Sequence, residues 1–342
     1  MQKTGLWAWV ARPLAAGFLL GAAVLLLPLL AAGRGSAAEP SPQLLPVSPS
    51  VPAEPDRTTG WDESRTVRVL EEDGQVEELT MGEYLWRVVA AEMPASFEPE
   101  ALKAQAVCAR TYCLWKMSAG RHSDEGADVC ADSACCQAYL TREEAAERWG
   151  EAAEAYTARI AAAVADTDGQ VLTYEGSPIQ AAFFSSSTAA TEDAAAVWGS
   201  SLPYLVSVDS PEGDEVPNYR STVILTAEEL KRLVMSAYPD ADLSGDPSGW
   251  LTNTGYTASG RVAEVDVGGI TLSGGAARAL FSLRSACFTA EEADGVFTFS
   301  VTGYGHGVGM SQYGANAMAR AGSDWRDIVS HYYTGITIQT GL

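Results

Sequence analysis

The sequence predicts an α+β fold: mixed strands and helices around a cleft, behind a single N-terminal transmembrane helix. Three observations lead there. Short runs of strand character alternate with amphipathic helical stretches, without the strict strand–helix–strand order of a parallel sheet. Of 342 residues, 47% are hydrophobic and 19% charged, enough for a sizeable core. Residues 13–32, "PLAAGFLLGAAVLLLPLLAA", are uncharged over about the length that crosses a bilayer core.

Lys3 and Arg12 precede that stretch and Arg34 follows it, which favours a cytoplasmic N-terminus (residues 1–12) and an exported remainder. A cleaved signal peptide is the rival reading, but its apolar region is usually shorter. Pro28 inside the span is tolerated in a membrane helix. Residues 33–64 are rich in Pro and Ser and lack apolar periodicity, as suits a semi-extended spacer. The remainder, 65–342, is expected to form one extracytoplasmic domain.

Within it, "TVRVLEEDGQVEELT" reads as two short strands around Asp73–Gly74. "MGEYLWRVVAAE" is helical until Pro94. A second helix starts at Pro99, a residue suited to the first helical position, and runs to about Met117. Glu98 and Glu100 favour the positive end of its dipole. "SPIQAAFFSSST" and "PYLVSVDS" look extended. "AEELKRLVMSAY" is an amphipathic helix, "GRVAEVDVGGITLSGG" a hairpin, and "GGAARALFSL" a turn and helix. The C-terminal stretch passes from strand to Gly-rich loop to two helices.

The formal net charge of −22, with no basic run longer than two residues, leaves no electrostatic footprint for nucleic acid. A neutral, cationic or carbohydrate partner fits better, and acidity also serves solubility alone.

Several residues stand out chemically. Met81, Leu85, Val88 and Val89 form an apolar stripe whose next position is Glu92. A carboxyl on a buried stripe loses hydration, rises in pKa and becomes able to donate a proton near neutral pH. If the helix simply ends there, the side chain reaches water instead. Lys103 and Arg110 share a helix face with Val107 and Leu114, either to hold an anionic group or to snorkel over a core face. His122, Cys130, Cys135 and Cys136 offer three thiols and an imidazole within fifteen residues. They suit a tetrahedral zinc site, while an exported domain also permits disulfides. Cys108, Cys113 and Cys287 read as buried. In "GYGHGVGMSQYGANA" the glycines allow close approach or tight turns, Tyr304 and Tyr313 offer flat faces for sugars, and His306 and Gln312 offer hydrogen bonds. No phosphate-loop Gly-Lys-Ser/Thr follows.

"AAEMPASFEPEALKAQAVCARTY", "DVCADSACCQAY", "VWGSSLPYLVSVDSP" and "GYGHGVGMSQYGANAMA", in that order, resemble the stage II sporulation protein D family of cell-wall proteins, which includes amidase-enhancing proteins. The resemblance covers the chain from about residue 65 onward. It implies a lytic transglycosylase acting in sporulation engulfment on glycan strands stripped of stem peptides, with Glu92 as catalytic acid and then base. The product would carry 1,6-anhydro-muramyl ends. It implies that Lys103 and Arg110 matter for activity, that Ser185 and Ser186 belong to a Ser-rich substrate strand, and that His122, Cys130, Cys135 and Cys136 hold a structural zinc ion. Its implied partners are a cell-wall amidase and a membrane protein that recruits both. Cys135 stands where the family commonly has His, and Ala189–Ala190 stand where it has two glycines. Two rivals differ in chemistry. A glycan-binding module that recruits an amidase would not depend on Glu92, and a zinc hydrolase would need an open coordination position.

Overall fold

The computed structural model describes residues 60–342. The expected cytoplasmic N-terminus, the anchor and most of the spacer lie outside the described residues. Among the described residues, no helix is long and apolar enough to cross a membrane.

The fold is mixed α and β. Strands β1 (Thr66–Leu70) and β2 (Val76–Thr80) form the expected antiparallel hairpin, with Val69 opposite Glu77. Helix α1 (Met81–Glu92) follows directly; the Thr80 hydroxyl accepts from the Glu83 N–H and caps it. Its stripe of Met81, Leu85, Val88 and Val89 is fully buried. Helix α2 (Pro99–Ala119) opens on its proline and closes at Gly120, whose φ of 59° is left-handed. Small residues, among them Ala101, Ala104, Ala106 and Ala109, are buried along much of α2, so neighbours approach from several sides. Strand β3 (Val129–Cys130) pairs in parallel with β1 and ties the cysteine-rich segment to the hairpin.

Helices α3 (Arg142–Trp149) and α4 (Ala153–Asp166) come next, and α4 packs on α1 and α2. Strand β4 (Gln170–Tyr174) lies between Ser177–Pro178 and Thr337–Thr340. Short strands Phe183–Phe184 and Met310–Ser311 pair in parallel, bringing the serine-rich stretch beside the Gly-rich loop. One apolar core joins α1, α2 and the C-terminal helices. A second, around Leu230, Val265, Phe281 and Phe299, is built by residues 223–301 and their two three-stranded sheets.

Residues 203–210, read as extended, form no named strand and pair with the segment before them through an isolated antiparallel bridge between Ala190 and Asp209, the Thr191 N–H donating to Val208 O and the Ser210 N–H to Ala189 O. One expectation needs correction. Residues 60–64, assigned by composition to the spacer, are bonded to the domain. The Trp61 and Asp62 N–H groups donate to the Asp168 carboxylate, each at 2.8 Å.

Candidate active site and metal centre

Helix α1 does end at Glu92, yet the side chain does not simply reach water. It is half-buried, and the Ala138 N–H donates to its Oε1 at 3.0 Å. Burial pushes its carboxyl above the usual carboxylate range, while hydrogen bonds from Ala138 and the Gln312 side chain draw it back. Glu92 lines a cavity of about 340 Å³ with Ser185, Gln312, Tyr313, Arg148 and Trp149. Among the described residues lining that cavity, Glu92 is the only carboxylate.

The cavity walls are well held. Gln312 is 5% exposed, and its Nε2 donates to Gln105 Oε1 of α2 at 3.4 Å. Ser311, next to it, caps helix Gln312–Arg320 through the Gly314 N–H and donates its hydroxyl to the buried Glu212. Glu212 also accepts from the Ser187 N–H and, at 2.6 Å, from the Ser210 hydroxyl. A buried carboxylate thus bolts the serine-rich stretch to the Gly-rich loop where both reach Glu92. The Tyr313 N–H donates to Ser185 O at 3.0 Å, and its ring stands edge-on to Phe97, 4.9 Å between centroids.

The structure brings Glu92, Ser185 and Gln312 together, and disperses the other predicted substrate contacts. Arg110 is fully buried in a forked ion pair with Asp62 (Nε–Oδ1 2.7 Å, Nη2–Oδ2 2.5 Å), and its Nη1 donates to Gln170 O at 3.1 Å. Its donors are committed to the fold, not turned to the Glu92 cavity. Lys103 bonds Glu100 at 2.9 Å and Asp166 at 3.0 Å, linking α2 to α4. Ser186 is buried, and its backbone pairs with that of Tyr304. The Tyr304 ring is exposed, with the Arg284 guanidinium 4.1 Å above it. His306 lines a separate cavity with Glu192, Arg261 and Arg278. The loop glycines pack against the protein itself: a Cβ on Gly309 (φ 79°) would lie 2.0 Å from Ala182 O.

His122, Cys130, Cys135 and Cys136 do converge, their ligand atoms all within 4.8 Å of one another. Cys135 Sγ lies 3.4 Å and Cys136 Sγ 3.7 Å from His122 Nε2, and the two sulfurs are 3.9 Å apart. Zinc–sulfur bonds of about 2.3 Å and zinc–nitrogen bonds of about 2.0 Å in a tetrahedron set such separations at roughly 3.5–3.8 Å. The donor set and its spacing therefore fit zinc. All six cysteines are free thiols, so no disulfide competes for these sulfurs. Burial, with the neighbouring Cys130 and Cys135 thiols adding to it, pushes the Cys136 thiol up to about 12. Lys116 Nζ donates to Cys135 O at 2.6 Å, placing a cation beside the sulfur cluster. Cys108 and Cys113 are core residues as expected, whereas Cys287 is only half-buried.

Sequence reasoning missed Arg148 and Trp149, which α3 delivers to the cavity. The signal was available: Thr141 and Glu144 cap α3 reciprocally, a Thr-x-x-Glu pattern ahead of the helix. At the expected glycine pair, Ala189 has φ 75°, so an alanine occupies the left-handed conformation a glycine would adopt freely.

A family model described as "Stage II sporulation protein" matches residues 71–174. The chain is 40% identical to stage II sporulation protein D of Bacillus subtilis (strain 168) over 265 residues, 77% of this chain and 75% of that protein. Its counterpart in Bacillus amyloliquefaciens is also 40% identical, over 77% of this chain and 75% of that protein. A B. subtilis protein named amidase enhancer is 29% identical over 73% of this chain and 39% of its own length.

Proposed function

Because this chain belongs to the stage II sporulation protein D family, a family with a role in sporulation, we propose that it is a membrane-anchored lytic transglycosylase that cuts peptide-stripped glycan strands during engulfment. The observation that carries this reading is Glu92, a lone carboxyl in a protein-lined cavity whose burial favours its protonated form.

In the first step the Glu92 carboxylic acid gives its proton to the glycosidic oxygen, and the bond from that oxygen to muramyl C1 breaks. In the second, the Glu92 carboxylate takes the proton of the C6 hydroxyl as O6 bonds to C1. The acid is regenerated, the ring closes as a 1,6-anhydro end, and no water is consumed. One carboxyl serves both steps, whereas ordinary glycosidases use two. Ser185, Gln312 and the Tyr313 ring supply polar and flat contacts for the sugar.

We read the His122–Cys130–Cys135–Cys136 cluster as a structural zinc site that pins β3 to the segment after it. Zinc there would supply cross-linking, and four protein ligands leave no open position for a hydrolytic water. The relative named amidase enhancer favours one second reading: a glycan-binding protein that recruits or stimulates a cell-wall amidase without cutting. Such an amidase, and a membrane protein recruiting both, are the proposed partners. Glu92→Gln separates the two readings. Loss of glycan cleavage with glycan binding kept supports the transglycosylase, and retained cleavage overturns it.

A further inference from the structure

Arg261 is 1% exposed, and its Nε, Nη1 and Nη2 have no hydrogen-bond partner in the protein. Arg261 makes a buried ion pair with Glu192, whose oxygen lies 3.6 Å from Nε, too far for a hydrogen bond, and already accepts from the Thr257 hydroxyl at 2.8 Å and from the Ser259 hydroxyl. A guanidinium does not shed its charge, so burying one without acceptors is strongly unfavourable. An acceptor belongs there. Gly307 makes the space: a Cβ on it would lie 2.7 Å from Arg261 Cζ.

Arg261 lines a cavity of about 50 Å³, with Glu192, Thr257, Ser273, Arg278 and His306 around it. At roughly 10–15 Å³ for each water, that volume takes about three to five waters or one carboxylate group. Two arginines and one carboxylate residue are among those that line it. His306 is neutral: its Nδ1 accepts from the Val308 N–H at 3.1 Å, and burial, with Arg278 nearby, holds it down at about 4. Ser273 and Gly275, two of its lining residues, are exposed. Phe184, 5.6 Å from His306 between rings, adjoins Ser185 of the Glu92 cavity. His306 lines this cavity and Gln312, six positions further along the chain, lines that of Glu92.

We propose that this cavity is a carboxylate-binding subsite, and that on a glycan strand it takes the lactyl carboxylate uncovered when the stem peptide is removed. It rests on the transglycosylase reading for its substrate. With the peptide attached, that carbon is a neutral amide carrying a bulky chain, which cannot pair with two guanidinium groups or enter so small a space. Selectivity for stripped strands then comes from this subsite, and cleavage from Glu92.

Binding is measured calorimetrically on the full-length Glu92→Gln chain, so that nothing is cut. The probes are a peptide-free glycan tetrasaccharide, the same sugar with its lactyl groups converted to methylamides, and acetate. The carboxylate sugar should bind at least about tenfold more tightly than the methylamide. Arg278→Gln should bring that ratio close to one and leave the methylamide affinity unchanged. Arg261→Gln should do the same where circular dichroism shows it folded. Equal affinity for the two sugars overturns the proposal and leaves the cavity to water. Acetate binding without discrimination between sugars overturns the glycan as the source of the carboxylate. Cleavage is scored separately with Glu92 intact, so its absence counts against the transglycosylase and not against the subsite.

Discussion

Replacing Asp62 by Ala tests what Arg110 is for. The Arg110 side chain is 0% exposed and that of Asp62 5%, and the two make a forked pair. Without Asp62 the guanidinium keeps one acceptor, the Gln170 carbonyl. Breaking a buried pair from one side costs about 3–5 kcal/mol. At about 2–4 °C per kcal/mol for a domain of this size, Asp62→Ala should melt roughly 6–20 °C below the parent. Circular dichroism on the full chain reads this directly. The double variant Asp62→Leu/Arg110→Met, which removes both charges, should recover most of the loss. Below its melting point, Asp62→Ala should keep the parent KM for glycan. A shift of under about 3 °C, or normal stability with a raised KM, would refute the structural reading and return Arg110 to the substrate. The importance of this residue for activity, implied by the family resemblance, is then explained through α2, which packs against the helix that carries Glu92.

Ala189→Gly should raise stability by about 0.5–1 kcal/mol, the left-handed penalty less the added flexibility of the unfolded chain; a lower denaturant midpoint would contradict it. Chelation should release one equivalent of zinc and lower the melting temperature, and unchanged melting of metal-free protein would remove the zinc site. Because the folded pKa of Glu92 is raised, its ionised form destabilises the fold. Glu92→Gln should therefore match the parent below about pH 4 and gain on it as pH rises through the folded pKa. Equal melting temperatures at both ends of that range would contradict this.

What the sequence reveals depends on how local the cause is. Helices α1 and α2 were legible because Thr80, Pro99 and Gly120 mark their ends and an apolar stripe fixes α1. The convergence of the cysteine cluster was legible because its four residues fall within fifteen positions of one another. Helices α3 and α4 were overlooked because their buried residues are few, Ala145 in α3 and Ile160, Ala163 and Val164 in α4. Arg148 and Trp149 were lost with them. The role of Arg110 could not be read, because its partner lies 48 residues away in a stretch with the composition of a spacer. Nor could the split of the Gly-rich loop be foreseen, with His306 and Gln312 facing different cavities. That depends on the parallel pairing of residues 183–184 with 310–311, which leaves no periodic trace.

The most direct test of the central claim is mass spectrometry of peptide-free glycan strands incubated with the full-length chain, beside its Glu92→Gln variant. The parent should yield 1,6-anhydro-muramyl ends and the variant no cleavage. Reducing ends that have gained one water, or anhydro ends from the variant as well, would contradict it.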